Sequence, residues 1–406
     1  MRLGLILLAI NALVFWALWV RLRHALPSRK GRIAIAVAYW LLLLPTLAMP
    51  FDAGALRAFR SDAPLWMSVP SMTLQFAVLC YGIWLVAFSG PLHFWQRLRA
   101  RRKAAPGPQP AAAQPEMPVP AAGQPDPQRR DFLKRTAMLP PALIVLGSGI
   151  GAVGAMQAPV IKRVQLPVPA DRTNLRGLRI VQCSDVHIGR FCKREQLQAI
   201  AAVMNSQRPD IVVCTGDLLD HAMEQLPPAQ ELLRSVHAPK GRFMCLGNHE
   251  YYAAGGAMDE LIRGIEESGT RLLRDEHEKI SVGSDHLWML GIDYPGRRLP
   301  AASFDHALQG IPDDGAPRIV LAHTPASFWE GRTRAIDLQL SGHTHGGQVS
   351  LGRIGQYELS PVLPIDLYHA GEYEYQGRRL YVNAGTGAWM PVRINCPPEI
   401  TLIELV

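Results

Sequence analysis

The apolar positions of this chain follow two unlike patterns. In the first hundred residues they form three long runs nearly free of charge, at residues 3–20, 33–49 and 69–88. Each run is long enough to cross a bilayer as a helix. Trp16, Trp19, Trp40 and Trp84 suit an interfacial belt. Arg21, Arg23, Arg29, Lys30 and Arg32 separate the first two runs, and Arg97, Arg99, Arg101, Arg102 and Lys103 follow the third. Basic flanks stay on the cytoplasmic side. Residues 1–100 are therefore expected to be an α-helical membrane region with three transmembrane helices.

Residues 101–130 are rich in Pro, Ala and Gln and read as an extended linker. Residues 131–161 begin on the basic run from Arg129 to Arg135 and continue into an apolar stretch at 137–156. Two readings stand side by side. One is a fourth transmembrane helix with a basic flank. The other is a twin-arginine signal, since Arg129-Arg130-Asp131-Phe132-Leu133-Lys134 has that form, with the twin-arginine translocase as a partner. Both place everything after residue 157 outside the cytoplasm.

Residues 162–406 carry the second pattern. Short apolar runs at 178–183, 211–214, 242–246, 318–321 and 335–340 read as strands. Leu197, Ile200, Ala201 and Met204 recur at helical spacing, as do Leu261, Ile262 and Ile265. A further helix is expected at about 228–236, a hairpin over 279–292, and strands at 163–168, 372–375, 379–382 and 400–405. Strands alternating with helices argue an α/β domain. Ligand sites in such sheets lie at the carboxyl ends of strands.

Charge sharpens this division. Residues 1–161 have a net charge of +12 and residues 162–406 of −4. The basic character belongs to the N-terminal part, and the α/β domain shows no basic patch for nucleic acid. None of the six cysteines has a zinc-type Cys-x-x-Cys spacing. A disulfide between Cys192 and Cys396 is open on sequence alone.

Candidate chemistry sits just after the apolar runs. There stand Asp185 and His187, Asp217 and Asp220, Asn248 and His249, His323, and finally His343 and His345. Carboxylate, imidazole and amide groups without a thiolate suit Mn, Fe or Zn in a non-structural site. Five such clusters at successive strand ends point to one shared site.

In that order, Asp-x-His, Gly-Asp-x-x-Asp, Gly-Asn-His-Glu, His and Gly-His-x-His, the motifs resemble those of the calcineurin-like metallophosphoesterases. Gly342-His343-Thr344-His345-Gly346-Gly347-Gln348, the run Asn383 to Gly387, and the stretch from Arg393 to Glu399 look like the bacterial membrane-associated or twin-arginine-exported branch. The resemblance covers about residues 175–406. It implies a layered α/β sandwich with two central sheets flanked by helices, and two divalent metal ions. Asp185, His187 and His345 would bind one ion, and Asn248, His323 and His343 the other, with Asp217 bridging them. A hydroxide between the ions would attack phosphorus. His249 would protonate the leaving oxygen, and Asp220 would orient His249.

The implied activity is hydrolysis of a phosphomonoester or phosphodiester, one form of which is lipid-linked. The alternatives are a UDP-2,3-diacylglucosamine-type pyrophosphate hydrolase and a non-catalytic ligand-binding member of the fold. His221-Ala222 stands where the protein phosphatases of the superfamily have Arg-Gly, which counts against a phosphoprotein substrate. Arg393, Arg190 and Tyr251 are the candidate substrate contacts, with Phe191, Tyr252, Arg297, Arg298 and Trp389 near the motif loops. The expected location is the bacterial inner membrane, multi-pass, with the catalytic domain on the periplasmic side.

Overall fold

A computed structural model describes residues 11–16, 19, 28–48, 71, 73–75, 77–78, 154, 157–189, 191–294, 301–360, 362–363, 366–388 and 391–406. The chain divides into two compact units, Met1–Gly149 and Ile150–Val406.

In the first unit the longest described element is helix α1 (Arg29–Ala48). The expectation of a multi-pass inner-membrane protein with its catalytic domain outside is corrected here. Among the described residues no helix is long and apolar enough to cross a membrane. In α1 the basic residues Arg29, Lys30 and Arg32 occupy the first turn, and Pro45 interrupts the apolar run near the other end. At 1.5 Å per residue the uncharged stretch 33–48 of this helix spans about 24 Å, against about 30 Å of hydrocarbon. Most of the first and third apolar runs lie outside the described residues. So do the linker at 101–130, the paired arginines, and the stretch 137–156 apart from Gly154.

The second unit holds two six-stranded mixed sheets and a small hairpin. In chain order the strands are β1 (Val160–Leu166), β2 (Arg179–Cys183), β3 (Ile211–Cys214), β4 (Arg242–Met244) and β5 (Thr270–Leu272). Then come β6 (Glu276–Val282), β7 (Asp285–Ile292), β8 (Arg318–Ala322) and β9 (Leu338–Ser341). The hairpin β10 (Arg353–Ile354) and β11 (Tyr357–Glu358) precedes β12 (Gly371–Tyr375), β13 (Arg378–Val382) and β14 (Glu399–Leu405). The first sheet runs β1-β14-β2-β3-β4-β5 and the second β12-β13-β9-β8-β7-β6. β2 to β5 are mutually parallel, as are β7, β8, β9 and β13.

The core explains why the central strands are mostly apolar, β3 at every position. Ile180, Ile211, Val213 and Phe243 of the first sheet pack against Leu287, Met289, Ile319, Leu321, Leu338 and Leu340 of the second. On its other face the first sheet offers Val181 and Val212 to helices α2 (Arg194–Ser206), α3 (Leu226–Ser235) and α5 (Met258–Glu267). Between α3 and α5 lies the short helix α4 (Asn248–Ala254). The second sheet covers its outer face, at Leu290 and Val320, with α6 (Ala301–Leu308). A strand buried on both sides reads as a continuous apolar run rather than an alternation.

Two boundaries differ from the reading of the sequence. The run at 335–340 becomes strand only from Leu338, because Asp337 turns back to accept the Arg318 N–H at 2.8 Å. Strand β4 ends at Met244, two residues short of the expected 246, and the Gly-Asn-His-Glu motif that follows it opens α4. Cys192 and Cys396 are both free thiols.

Candidate metal centre

The site is built on the loops that leave β2, β3, β4, β8 and β9 at their carboxyl ends. The backbone there is strained. Ten non-glycine residues among the described ones have positive φ, and five of them are Asp185, His187, Asp217, His343 and His345. Holding such a residue left-handed costs about 1–3 kcal/mol and persists only where the surroundings impose it. Here each loop imposes it on the next. The N–H groups of Asp185, His187 and Ile188 bond to the carbonyls of Gly216, Asp217 and Leu218, and Gly342 N–H bonds to His323 O. Gly342 permits a close approach, since a Cβ at that position would run into Ser184 Oγ and Asp185 Oδ2.

The donor atoms converge in two adjoining groups. In the first, His187 Nε2 stands 2.9 Å from His345 Nε2. His345 Nε2 is 3.4 Å from Asp185 Oδ1. In the second, His323 Nε2 lies 3.2 Å from Asp217 Oδ2, 3.1 Å from Asn248 Oδ1 and 3.1 Å from His343 Nδ1. Asp217 Oδ2 also lies 3.8 Å from His187 Nε2, so this carboxylate faces both groups. Within each of the sets Asp185–His187–His345 and Asp217–His323–His343, one atom per residue lies within 4.8 Å of the others.

This donor set fits divalent cations. His323 Nδ1 is 2.7 Å from the Thr215 carbonyl and donates to it, so Nε2 carries the lone pair of the neutral ring. Three further acceptor-bearing groups crowd that nitrogen. One proton there could satisfy one of them, whereas a cation would serve all. Charge tells the same story. Burial opposes a charged His323, yet Asp217 beside it raises its pKa to about 9. Burial likewise opposes a charged Asp217, but His323 and His249 hold its carboxyl well below the usual carboxylate range. Burial and His323 push His343 down to about 4, and burial with His187 and Arg393 holds His345 well below an ordinary histidine. His343 and His345 are thus neutral beside an ionised Asp217, the forms in which these groups bind metal, while His323 must release a proton when a cation takes its Nε2.

His249 sits at the start of α4. Its N–H donates to Asp217 Oδ1 at 2.8 Å, and its Nδ1–H donates to the Asp220 carbonyl. The Asp220 carboxylate is further off, with Oδ1 3.5 Å from His249 Nδ1 and 3.4 Å from His187 Nδ1. Asp220 thus reaches His249 through its backbone as much as through its side chain. Its Oδ2 lies 2.9 Å from His221 Nδ1. Burial would lower the His249 pKa, but the Asp220 and Asp217 contacts carry it upward.

Two supporting residues are not evident from the sequence. Glu250 is fully buried, and its carboxylate accepts four backbone N–H bonds at 2.7–3.0 Å, from Gly247, Asp217, Leu218 and Leu219. It ties the Asp217 loop to the His249 helix. Glu250 closes the Gly-Asn-His-Glu motif, and that was its only signal. Gln225 accepts from the N–H groups of Asp220, His221 and Ala222, which no local pattern announces. Glu250→Gln removes an oxygen that serves two of the four bonds. It is expected to cost about 2–3 kcal/mol of stability, read as a lower urea midpoint. An unchanged midpoint would refute the tie.

Two of the three candidate substrate contacts are among the described residues. Arg393 is 3 % exposed, and its guanidinium donates to the carbonyls of Ala384, Cys396, Gly385 and Gly387 while lying 3.3 Å from His345 Nδ1. A cation spent on carbonyls behind His345 does not reach a substrate. The Tyr251 hydroxyl donates to Asp293 Oδ1 at 2.7 Å, and burial with that carboxylate pushes its pKa up to about 12. Asp293 and Tyr294 arrive from the end of β7, a strand end that the sequence reading left unused. Arg190, Arg297, Arg298 and Trp389 lie outside the described residues.

Two sheets flanked by helices, with His, Asp and Asn side chains gathered at the strand ends, define a metallophosphoesterase. The family model for calcineurin-like phosphoesterases matches residues 178–347, and the chain belongs to that family of phosphoester hydrolases. It is 34% identical over 269 residues to a transmembrane protein with metallophosphoesterase domain from Danio rerio, covering 63% of this chain and 59% of that one. An uncharacterized metallophosphoesterase of Aquifex aeolicus is 30% identical over 233 residues, 56% of this chain and 85% of that one. Phosphodiesterase YaeI of Escherichia coli is 28% identical over 285 residues, 68% of this chain and 99% of its own length.

Proposed function

We propose that residues 162–406 form a two-metal phosphodiesterase. The observation that carries this is the single carboxylate, Asp217, within reach of two donor groups. Asp185, His187 and His345 hold one ion in this reading, Asn248, His323 and His343 the other, and Asp217 is shared. Bound there, the ions supply Lewis-acid stabilisation of the phosphoryl oxygens and activation of water.

The chain's own residues do the rest. The Asp220 carbonyl fixes His249 Nδ1–H, which leaves Nε2 as the nitrogen that gives a proton to the leaving oxygen. The raised His249 pKa keeps that proton available. Glu250 holds the Asp217 loop in its strained turn, so the carboxylate need not reorganise during reaction. A diester is favoured over a phosphoprotein because His221-Ala222 replaces the phosphatase arginine, and the E. coli relative bears the name phosphodiesterase.

Metal analysis of the purified chain is expected to find about two Mn, Fe or Zn ions. Dialysis against a chelator should abolish hydrolysis of bis(4-nitrophenyl) phosphate, and one of these metals should restore it. Full activity with no bound metal would overturn the proposal.

A further inference from the structure

The wall of the centre on the His249 side is aromatic. Tyr252 follows His249 on α4 and is 64 % exposed. Its ring lies 5.4 Å from the His249 imidazole at an interplanar angle of 62°. Tyr251, the residue before it, has its ring 5.9 Å from that of Tyr294. The Tyr294 ring lies in turn 6.3 Å from His323, nearly edge-on at 71°. Tyrosine rings therefore adjoin both the proposed proton donor and a proposed metal ligand.

This wall is held in place. Asp293 Oδ1 accepts from the Tyr251 hydroxyl, while Oδ2 takes two bonds from Arg274, to Nε at 3.0 Å and Nη2 at 2.9 Å. The Tyr251 ring is thereby pinned to the end of β7. A rigid aromatic surface loses little freedom on binding, and its quadrupole favours a stacked or edge-on planar partner. The Tyr252 ring is the i+3 neighbour of His249 on α4, so the helix itself sets it beside the proposed proton donor. Arg393, buried behind His345, offers this wall no charge.

We propose that Tyr252, with Tyr294 and the pinned Tyr251, forms a platform that selects phosphodiesters whose leaving group carries a planar aromatic ring. The inference rests on the phosphodiesterase reading, since it takes the His249 side as the leaving-group side. The ring, not the hydroxyl, is the recognising element at Tyr252.

The test is calorimetric binding of phenylphosphonate and methylphosphonate to the manganese-loaded full-length chain. Wild type is expected to bind the phenyl compound about tenfold more tightly, the scale of one aromatic stack. Tyr252→Ala and Tyr294→Ala should each bring that ratio close to one, and Tyr252→Phe should keep it. Metal content per chain is measured in parallel. Equal binding of the two phosphonates by wild type overturns the platform, as does a ratio unmoved by both alanine variants. Failure of wild type both to bind either phosphonate and to hydrolyse bis(4-nitrophenyl) phosphate overturns the phosphodiesterase reading, and the platform with it.

Discussion

Asp217→Asn is expected to lower kcat/KM for a phosphodiester by on the order of a thousandfold and to reduce bound metal to one ion per chain or fewer. The substitution keeps the shape of the side chain and removes its charge. Oδ2 of Asp217 is the atom that lies 3.2 Å from His323 and 3.8 Å from His187, so this one donor spans the two groups. Its Oδ1 accepts the His249 N–H at 2.8 Å. The Asn variant therefore loses an anionic donor to both ions and weakens the anchor of the helix that carries His249. The Glu250 bond to the Asp217 backbone remains, so the loop should keep its turn and the circular dichroism spectrum should not change. Metal content by elemental analysis, read beside kcat/KM, decides the matter. A variant that keeps both ions and wild-type turnover would remove Asp217 from the centre.

His249→Ala separates two roles that the geometry leaves adjacent. His249 also stands within 4.8 Å of His187 and Asp217 by one atom of each, a set able to hold an ion. If it acts as proton donor, its loss should lower kcat by about 10²–10⁴-fold and leave bound metal unchanged. The deficit should also depend on the leaving group. A 4-nitrophenolate departs without a proton, so its diester should suffer least, and an alkyl diester most. If His249 is instead a ligand, metal content falls and both substrates lose rate alike. The Asp220 carbonyl orients the His249 ring in either role, as the Thr215 carbonyl orients His323, so metal content and the leaving-group dependence decide between them.

Much of the α/β unit could be read before any coordinates. Strands such as β3 are apolar at every position because both faces of the sheet are covered, and a run that is apolar throughout needs no periodicity to be noticed. Helix α2 buries the residues that its spacing marked, Leu197, Ile200, Ala201 and Met204. Elements with weaker signatures went unnoticed. Strand β5 is three residues long with Arg271 at its centre, and α6 follows a proline-rich stretch that carries no cap signal. Of the apolar N-terminal runs only the second falls on a long described helix, and α1, which opens on three basic residues, does not meet the length and hydropathy that its composition suggested.

The candidate site divides along the same line. That carboxylates and imidazoles follow the strand ends is a property of local order along the chain, where apolar runs stop and polar triplets begin. Which atoms face one another is not local. Asp185 and His343 lie 158 residues apart, yet the His343 N–H reaches both Asp185 oxygens, at 3.0 and 2.9 Å. Asp and His tolerate the left-handed region better than most residues, but that Asp185, His187, Asp217, His343 and His345 adopt it is decided by neighbouring loops through backbone bonds. The same holds for Arg393. Its charge suggested a substrate contact, and packing turned it instead to carbonyls behind His345. A residue's chemistry travels with its name, but its direction is a sum over contacts that the linear order does not contain. The apolar pattern therefore settled the layers of this protein, and the packing of those layers settled where its charges point.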